Sequence, residues 1–371
     1  MRKLFLFLLV ALVALVTACS NSASTNEQTD EKTDQQATNE DESKESDKKA
    51  EKKNEEKEVA QPFEALAPSE DAKPLRETMT EEELAKMPVV EAHGEDRTRK
   101  TPVGETLMEG TTDETDGILK DYRLVAYYGQ PNSTKMGILG EMEPEALMTK
   151  LKEQTQAYSD ADPDRPAIPT IELITTIAQR EPGPNGKYYH MTSEEDIDEY
   201  AELAKKHNAI LMLDVQLGRD TALHQVQLLE KWLKLPYVHV AIDTEFHVKE
   251  GQTPGIDLGS VDGSEVQEVV DYVSKFVEEN DLPDKIVLVH QFTDHAVTNK
   301  QAIKPTDNVE VALNFDGYGD YGTKMSLYRK FVRNEPVQYG GFKIFYNKDK
   351  PVLTPAEVLQ LDPNPAIINY Q

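Results

Sequence analysis

Two acidic residues, Asp243 and Glu245, stand two positions apart at the end of the apolar stretch HVAIDTEFHV. On a β-strand, residues i and i+2 point to the same face, so an extended backbone would place the two side chains roughly 7 Å apart at Cβ. A close anionic neighbour makes the second carboxyl group harder to ionise and can keep it protonated near neutral pH. Such a pair suits the cleavage of glycosidic bonds, which needs a carboxylic acid.

The elements that must position this pair alternate regularly from residue 121 to the C-terminus. Amphipathic helical patterns such as SEEDIDEYAELAKKH separate eight β-rich segments: YRLVAYYG, AIPTIELITTIA, AILMLDVQ, VHVAIDTEF, KIVLVHQF, VEVALNFDGYG, GGFKIFYN and AIINYQ. This order predicts a parallel sheet covered by helices, and eight strands in about 250 residues fit a (β/α)8 TIM-type barrel. An open doubly wound sheet is the alternative, but no Gly-rich phosphate loop follows an early strand.

The active site of such a barrel lies at the C-terminal ends of its strands, and one face of several predicted strands becomes polar there. We therefore predict Asp243 and Glu245 as the catalytic pair. The predicted substrate-binding residues are Tyr127, Tyr128, Glu172, Asp214, Gln216, His290, Gln291, Asp316, Tyr318 and Lys343. For any single carboxylate, a role as a helix cap or a solvated surface charge is the competing interpretation.

Other chemistries are weaker matches. Lys343, within the seventh strand, could form a Schiff base. The C-terminal end of the barrel, called the mouth below, is rich in carboxylates, so we expect Lys343 to act there as a counter-ion. His239, His247, His290 and His295 could suggest a metal hydrolase, yet the first strand lacks the His-x-His with which barrel metal enzymes usually open. We predict neither a metal nor another cofactor.

The N-terminus reads MRKLFLFLLVALVALVTACSNSAS, a charged start and an apolar run followed by small residues. This pattern predicts a secretory signal over residues 1–18. VTAC resembles the lipobox of bacterial lipoproteins, which implies cleavage before Cys19 and diacylglycerol on its sulfur. The resemblance implies a lipid-anchored protein on the extracytoplasmic face of the cell membrane. Cys19 is the only cysteine, so neither disulfides nor a Cys-based metal site is expected.

Residues 19–61 are acidic and almost free of large apolar side chains, which predicts a disordered tether, although a solvated helix is the alternative. Residues 62–120 are turn-rich, and we predict a loosely structured extension before the barrel of residues 121–371. The net charge of −28 disfavours nucleic acid and anionic membrane surfaces as partners. The membrane, through Cys19, and a cell-wall glycan are the predicted partners.

Two further resemblances bear on function. The Asp-x-Glu of Asp243 and Glu245 is similar to that of chitinase-like and lysozyme-like (β/α)8 glycosidases, which implies Glu245 as the acid and Asp243 as its electrostatic partner. The longer chitinase pattern has aspartates where this chain has Val238 and Ala241. The motifs YYGQP, GILGE, VHQF and FDGYG resemble a family of uncharacterised bacterial surface lipoproteins, which supports the architecture alone. We predict hydrolysis of a wall or capsular glycan, with a catalytically silent barrel that binds glycan or scaffolds envelope proteins as the alternative.

Overall fold

The computed structural model describes residues 61–74, 77, 80, 113–333, 335 and 338–371. The predicted signal peptide, lipidated Cys19 and most of the predicted tether lie outside these residues, as does much of the predicted extension. In the described part of the chain, no helix is long and apolar enough to cross a membrane.

Eight parallel strands close into a barrel. Their order is β1, β11, β10, β9, β7, β5, β4 and β2, and β1 also pairs with β2. The bounds are β1 Arg123–Gly129, β2 Ala167–Ala178, β4 Ile210–Gln216, β5 Val238–Asp243, β7 Lys285–Gln291, β9 Val309–Phe315, β10 Tyr339–Ile344 and β11 Ile367–Tyr370. The predicted (β/α)8 barrel is thereby confirmed, and the open doubly wound sheet is excluded because the pairing of β1 with β2 closes the wall.

Three short strands lie outside the barrel wall. β3, Tyr189–Met191, runs antiparallel to the end of β2, and β6, Val261–Asp262, pairs with β8, Val297–Thr298. β3 therefore extends the sheet above the C-terminal end of the barrel, in the connection between β2 and the next helix.

The helices that cover the barrel are α1 Pro144–Ala161, α2 Glu194–Lys206, α3 Ala222–Gln227, α4 Glu230–Leu233, α5 Gly263–Asn280, α6 Tyr321–Tyr328 and α7 Pro355–Val358. The hydroxyl of Ser193 caps α2, and Asp262 begins α5 with a capping box. The amphipathic pattern of DTALHQVQLLEKWLKL predicts one helix, and this prediction is wrong because the structure divides the segment into α3 and α4. Leu229 leaves helical geometry (φ −98°, ψ 3°) between α3 and α4, and the redirected chain buries Trp232.

The interior of the barrel is divided along its axis. Its N-terminal half is filled by apolar side chains from several strands, among them Leu124, Ile168, Met212, Leu288 and Ile367. The short 3-10 turn Ile118–Lys120 closes that end, with Ile118 and Leu119 in the same cluster. The apolar layers thus support a polar upper layer at the C-terminal ends of the strands.

The described residues before β1 pack on the same end of the barrel. Leu66 pairs with Ala167 as an isolated bridge, and the ring of Phe63 contacts that of Tyr122. The backbone amide and hydroxyl of Ser69 donate to Asp160 on α1. Residues 61–74 nevertheless hold no fully buried side chain.

Candidate active site

The strand that carries the candidate catalytic pair ends at Asp243. Residues Thr244–Phe246 form a 3-10 turn, so the extended backbone predicted through Glu245 is wrong. The hydroxyl of Thr244 donates to the carbonyl of His290 at 2.6 Å and holds this turn against β7. The two carboxyl groups still converge, because Asp243, Glu245 and Asp316 each place an oxygen within 4.8 Å of the others.

Glu245 has the properties of an acid that stays protonated. Its side chain is half-buried, whereas Asp243 is 2% exposed. Burial raises the pKa of Glu245 well above its usual value, and the negative charges of Asp243 and Asp316 add to this effect. A protonated Glu245 can donate a hydrogen bond to Asp243, which two ionised carboxylates cannot form.

His290 organises a second group of side chains at the centre of the mouth. Its Nε2 lies 2.7 Å from Glu172 and 4.0 Å from Asp214, and its Nδ1 lies 3.4 Å from Asp316. Burial opposes its charge, but Glu172 and Asp316 outweigh burial and raise the pKa of His290 well above its usual value. These neighbours favour the charged form of His290, which lies between the carboxyl groups of Glu172, Asp214 and Asp316.

Asp214 is the second carboxyl group with a strongly altered affinity for protons. It is fully buried, and burial together with the nearby charge of Asp243 raises its pKa well above the usual value. The hydroxyl of Tyr128 lies 3.2 Å from Asp243 and 3.4 Å from Asp214, while Nε2 of Gln216 donates to that hydroxyl oxygen at 3.1 Å. Tyr128 and Gln216 thus connect the two aspartates.

Lys343 supplies the other positive charge. Burial works against the charge, but Asp316, Asp243 and Glu172 reverse that effect and raise the pKa of Lys343. Its Nζ lies 3.6 Å from the centroid of the Tyr128 ring, and among the described residues it forms no direct ion pair. Lys343 therefore acts as a counter-ion at a distance, held over an aromatic face.

The mouth is rich in acceptors that lack donors. Among the described residues, six buried side-chain oxygens there have no hydrogen-bond partner: Asp214 Oδ1, Asp243 Oδ1, Glu245 Oε2, Asn314 Oδ1, Asp316 Oδ1 and Asn369 Oδ1. Buried acceptors are ordinarily paired, so this set is suited to a ligand that brings donors. Protons on Glu245 and Asp214 meet only part of this demand.

Two polar residues of the mouth were not among the predicted site residues. Asn314 lies 3.1 Å from Nδ1 of His290, and Asn369 donates to Glu172. Both lie on the inward face of their strands, two residues after an apolar inward residue, Ala312 and Ile367 respectively. The alternation along β9 and β11 is the signal that identifies them.

Two predicted binding residues lie outside the mouth, and one lies at its rim. The prediction of Tyr127 as a mouth residue is wrong, because Tyr128 points inward and Tyr127 therefore points outward. The ring of Tyr127 packs in the apolar core between the barrel and its helices, and its hydroxyl lies near Tyr346. Gln291 is wrong for the same reason, since it follows inward-facing His290 and donates to the carbonyl of Phe331. Tyr318 is 47% exposed and packs its ring against Phe292 and Phe345.

The mouth offers two groups whose geometry would admit a cation. One is Glu172, Asp214 and His290, and the other is Asp243, Glu245 and Asp316. The carboxyl groups around His290 favour its charged form, and Lys343 adds positive charge near the second group. A cation at either group would meet this positive charge.

The chain is similar to solved structures only at low sequence identity. No family model and no curated protein matches the chain. A candidate alpha-L-fucosidase from Bacteroides thetaiotaomicron is 11% identical, with a TM-score of 0.39 over 68% of this chain and 86% of the other. A double mutant of an endo-beta-1,4-mannanase from Cellulomonas fimi is 11% identical, with a TM-score of 0.35 over 72% of this chain and 71% of the other.

Proposed function

We propose that this protein is a lipid-anchored extracytoplasmic hydrolase of a cell-wall or capsular glycan, with Glu245 as the general acid. One observation carries the proposal: a half-buried carboxyl group with a strongly raised pKa lies beside Asp243 and Asp316 at the mouth of the barrel. Glycosidases need this division between a protonated and an ionised carboxyl group. The anchor rests on the resemblance of VTAC to a lipobox.

The acceptor-rich mouth supports a sugar as the ligand. The hydroxyl groups of a sugar can each donate a hydrogen bond, and the mouth contains buried oxygens that lack donors. The ring of Tyr318, which is 47% exposed, lies at the rim. Sugar faces stack on such rings, whose faces are apolar.

The reaction would begin with transfer of the Glu245 proton to the glycosidic oxygen as the bond from that oxygen to the anomeric carbon breaks. A carboxylate or the N-acetyl oxygen of the sugar would form the first new bond to the anomeric carbon. A water molecule would then displace that group and return its proton to Glu245. Asp243, Glu245 and Asp316 lie closer together than the roughly 6.5–9.5 Å that leaves room for direct attack by water, which favours retention of configuration.

A catalytically silent barrel that binds glycan or scaffolds envelope proteins is the second candidate. It is favoured by the depth of the carboxyl groups, since Glu172 and Asp214 are fully buried and Asp243 and Asp316 are each 2% exposed. Lys343 also places a positive charge among them. A binding protein needs only the acceptors of this mouth, whereas an enzyme also needs the protonated state of Glu245.

The deciding experiment measures new reducing ends after the full-chain protein is incubated with purified peptidoglycan, chitin oligomers and wall polysaccharides. Glu245→Gln removes the acid, and Glu268→Gln makes the same chemical change at an exposed position on α5. Cleavage by the parent and by Glu268→Gln, but not by Glu245→Gln, is the expected result. Equal cleavage by all three proteins would reject Glu245 as the acid, and binding without cleavage would favour the silent barrel.

A further inference from the structure

A cavity of about 360 Å³ lies beside the mouth and belongs to none of the chemistry described above. It is enclosed by the loop that follows β1, by the end of β2 and by β3 with the start of α2. Its lining consists of Gln130, Asn132, Ser133, Met136, Ile177, Gln179, His190, Met191, Thr192, Ser193 and Asp196. This volume is near the lower limit of the ~300–1,000 Å³ typical of small-molecule sites.

The cavity and the mouth share a wall. Tyr128 packs with Ile174, Ile177 and Met136 in a small apolar cluster, and Ile177 and Met136 also line the cavity. The hydroxyl of the same tyrosine reaches Asp243 in the mouth. The candidate acid site and the cavity therefore lie on opposite sides of one aromatic side chain, a distance that neighbouring residues of a single glycan chain can span.

Backbone hydrogen bonds close the loop that forms the outer wall. The amide of Ile138 donates to Tyr128 at 2.8 Å, and that of Gln130 donates to Met136 at 2.9 Å. Gly137 has a φ of +87°, and a Cβ atom there would lie 2.2 Å from the carbonyl oxygen of Tyr128. The motifs YYGQP and GILGE thus form a closed turn, and preformed walls lower the cost of binding.

Gln130 provides a buried polar group that faces this cavity without a partner for its donor. The residue is 5% exposed, and its Oε1 accepts from the amide of Asn132 at 2.6 Å. Within the described residues, the amide nitrogen of its side chain has no acceptor, which leaves it available to a ligand. His190, opposite on β3, is exposed and likewise forms no side-chain hydrogen bond with the described residues.

The lining indicates a neutral, hydroxyl-rich ligand. Lysine and arginine are absent from the described residues that line the cavity, and the carboxylate of Asp196 already accepts from Asn132 and Ser193. An anionic ligand would therefore meet one carboxylate and no fixed cation. Most of the remaining surface is apolar, with Met136, Ile177 and Met191 as apolar contacts, and amides and hydroxyls lie among them. This combination suits the face of a sugar ring and the hydroxyl groups at its edges.

We propose that this cavity is a saccharide subsite that binds one neutral or N-acetylated sugar residue of a glycan whose neighbouring residues occupy the mouth. The ligand class rests on the proposed function of the mouth, whereas the position of the subsite rests on the cavity itself. The subsite would make recognition depend on chain length, since only a longer glycan reaches both places.

Calorimetric titration of the full-chain Glu245→Gln protein with chitin oligomers of two to six residues tests this proposal. Affinity is expected to rise with length until the cavity is occupied. His190→Trp, which fills the cavity, should lower the affinity for the longest oligomer roughly tenfold, which corresponds to a loss of about 1.4 kcal/mol. The affinity for the shortest oligomer should stay unchanged. Gln130→Leu should weaken the longest oligomer roughly fivefold through its lost amide donor.

Two controls separate loss of the subsite from loss of the fold. His190→Ala keeps the space open, and Glu181→Trp places the same bulk on an exposed neighbouring position outside the lining. Both should preserve the dependence on length, and the variants of His190 and Glu181 should retain the parent melting temperature. A dependence on length that survives His190→Trp, or no saccharide binding at all, would overturn the subsite. Displacement by a short neutral peptide, but not by sugars, would overturn its ligand class.

The outcome is distinguishable from failure of the proposed hydrolase. If the parent cleaves nothing but binds oligomers in a manner sensitive to His190→Trp, the subsite stands and the catalytic role of Glu245 falls. If the parent cleaves chitin oligomers and His190→Trp changes neither binding nor the preferred length, the hydrolase stands and the subsite falls.

Discussion

Buried carboxyl groups lie at both ends of the barrel, but their partners differ. At the N-terminal end, the two oxygens of Glu310 accept from the backbone amides of Ile118 and Leu119, each at 2.9 Å. Asp113 accepts from the amide and hydroxyl of Thr115 and from the hydroxyl of Tyr339. At the C-terminal mouth, Asp214, Asp243, Glu245 and Asp316 each keep one buried oxygen without a partner.

This difference separates structural from functional acids. A satisfied buried carboxyl group fixes neighbouring backbone, and Glu310 does so for the turn that closes the barrel. Burial raises the pKa of Glu310 as well, so the two ends differ in the partners of their carboxyl groups and not in the direction of the pKa shift. Unsatisfied carboxyl groups lower stability unless they hold protons or bind a ligand. The two ends should therefore respond in opposite ways when a carboxyl group is replaced by its amide.

The largest expected effect is on turnover. Glu245→Gln removes the proton donor and should reduce the rate of glycan cleavage by about 10²–10⁴-fold, the usual contribution of a general acid. Glu310→Gln makes the same change at the opposite end and should leave turnover of the folded protein near that of the parent. Reducing-end assays below the melting temperature of both variants measure this contrast.

Two results would contradict this assignment of roles to the two ends of the barrel. A Glu310→Gln protein that remains folded yet loses turnover would connect the N-terminal end with the chemistry. A Glu245→Gln protein with full turnover would transfer the acid role to another mouth residue, and Asp214 would be tested next because its pKa is also strongly raised.

The second effect is on stability at the N-terminal end. In Glu310→Gln, the amide nitrogen must face the backbone amide of Ile118 or Leu119, so one hydrogen bond becomes a contact between two donors. Leaving a buried donor unsatisfied costs about 1–3 kcal/mol, so the free energy of unfolding should fall by that amount. Denaturant unfolding measures it, and an unchanged midpoint would show that Glu310 does not hold the turn.

The third effect is a pH-dependent gain of stability in the mouth. The pKa of Asp214 is raised from an ordinary 3.8, so the folded state holds a proton that the unfolded state releases. The resulting stabilisation is full below that ordinary value and is lost as the pH rises toward the folded pKa. Asp214→Asn removes this loss and should raise the melting temperature more at pH 8 than at pH 4, by roughly 2–4 °C per kcal/mol gained.

Melting curves of the parent and of Asp214→Asn across this pH range provide the measurement. An exposed change of the same type, Asp271→Asn on α5, should shift the melting temperature little at any pH. A destabilised Asp214→Asn protein at pH 8 would mean that the aspartate is ionised and stabilised by His290, contrary to the direction of its pKa.

The regular alternation of apolar β-rich segments with amphipathic helical segments was sufficient to predict the barrel. Each of the eight strands coincides with a segment in which apolar side chains recur on both faces, as strands covered on both sides require. The break between α3 and α4 could not be predicted in this way, since the apolar spacing continues through Leu229. After the break, Trp232 is buried and its ring nitrogen donates to Asp198 on α2, a contact between distant segments that a local pattern does not contain.

The candidate site was predictable only in part, because alternation gives the face of a residue and not its partners. Asp214, Asp243 and Asp316 follow from alternation, and the same rule would have excluded Tyr127 and Gln291. The convergence of Glu245 with Asp243 was predicted for the wrong reason, since the strand gives way to a turn that Thr244 anchors to β7. Contacts between strands that are distant in sequence determine such details.

The smallest expected effect is that of Lys343 on the pH–rate profile. The positive charge of Lys343 lowers the pKa of Glu245, although burial and Asp243 dominate in the opposite direction. Lys343→Met should therefore raise that pKa further and move the alkaline limb of the pH–rate profile to higher pH, because a general acid must remain protonated. Lys348→Met removes a lysine near the exposed Tyr318 ring and should leave the limb in place. If Lys343 were instead paired with one carboxylate alone, its loss would lower the maximal rate without moving the limb, and the profile of each variant separates these two roles.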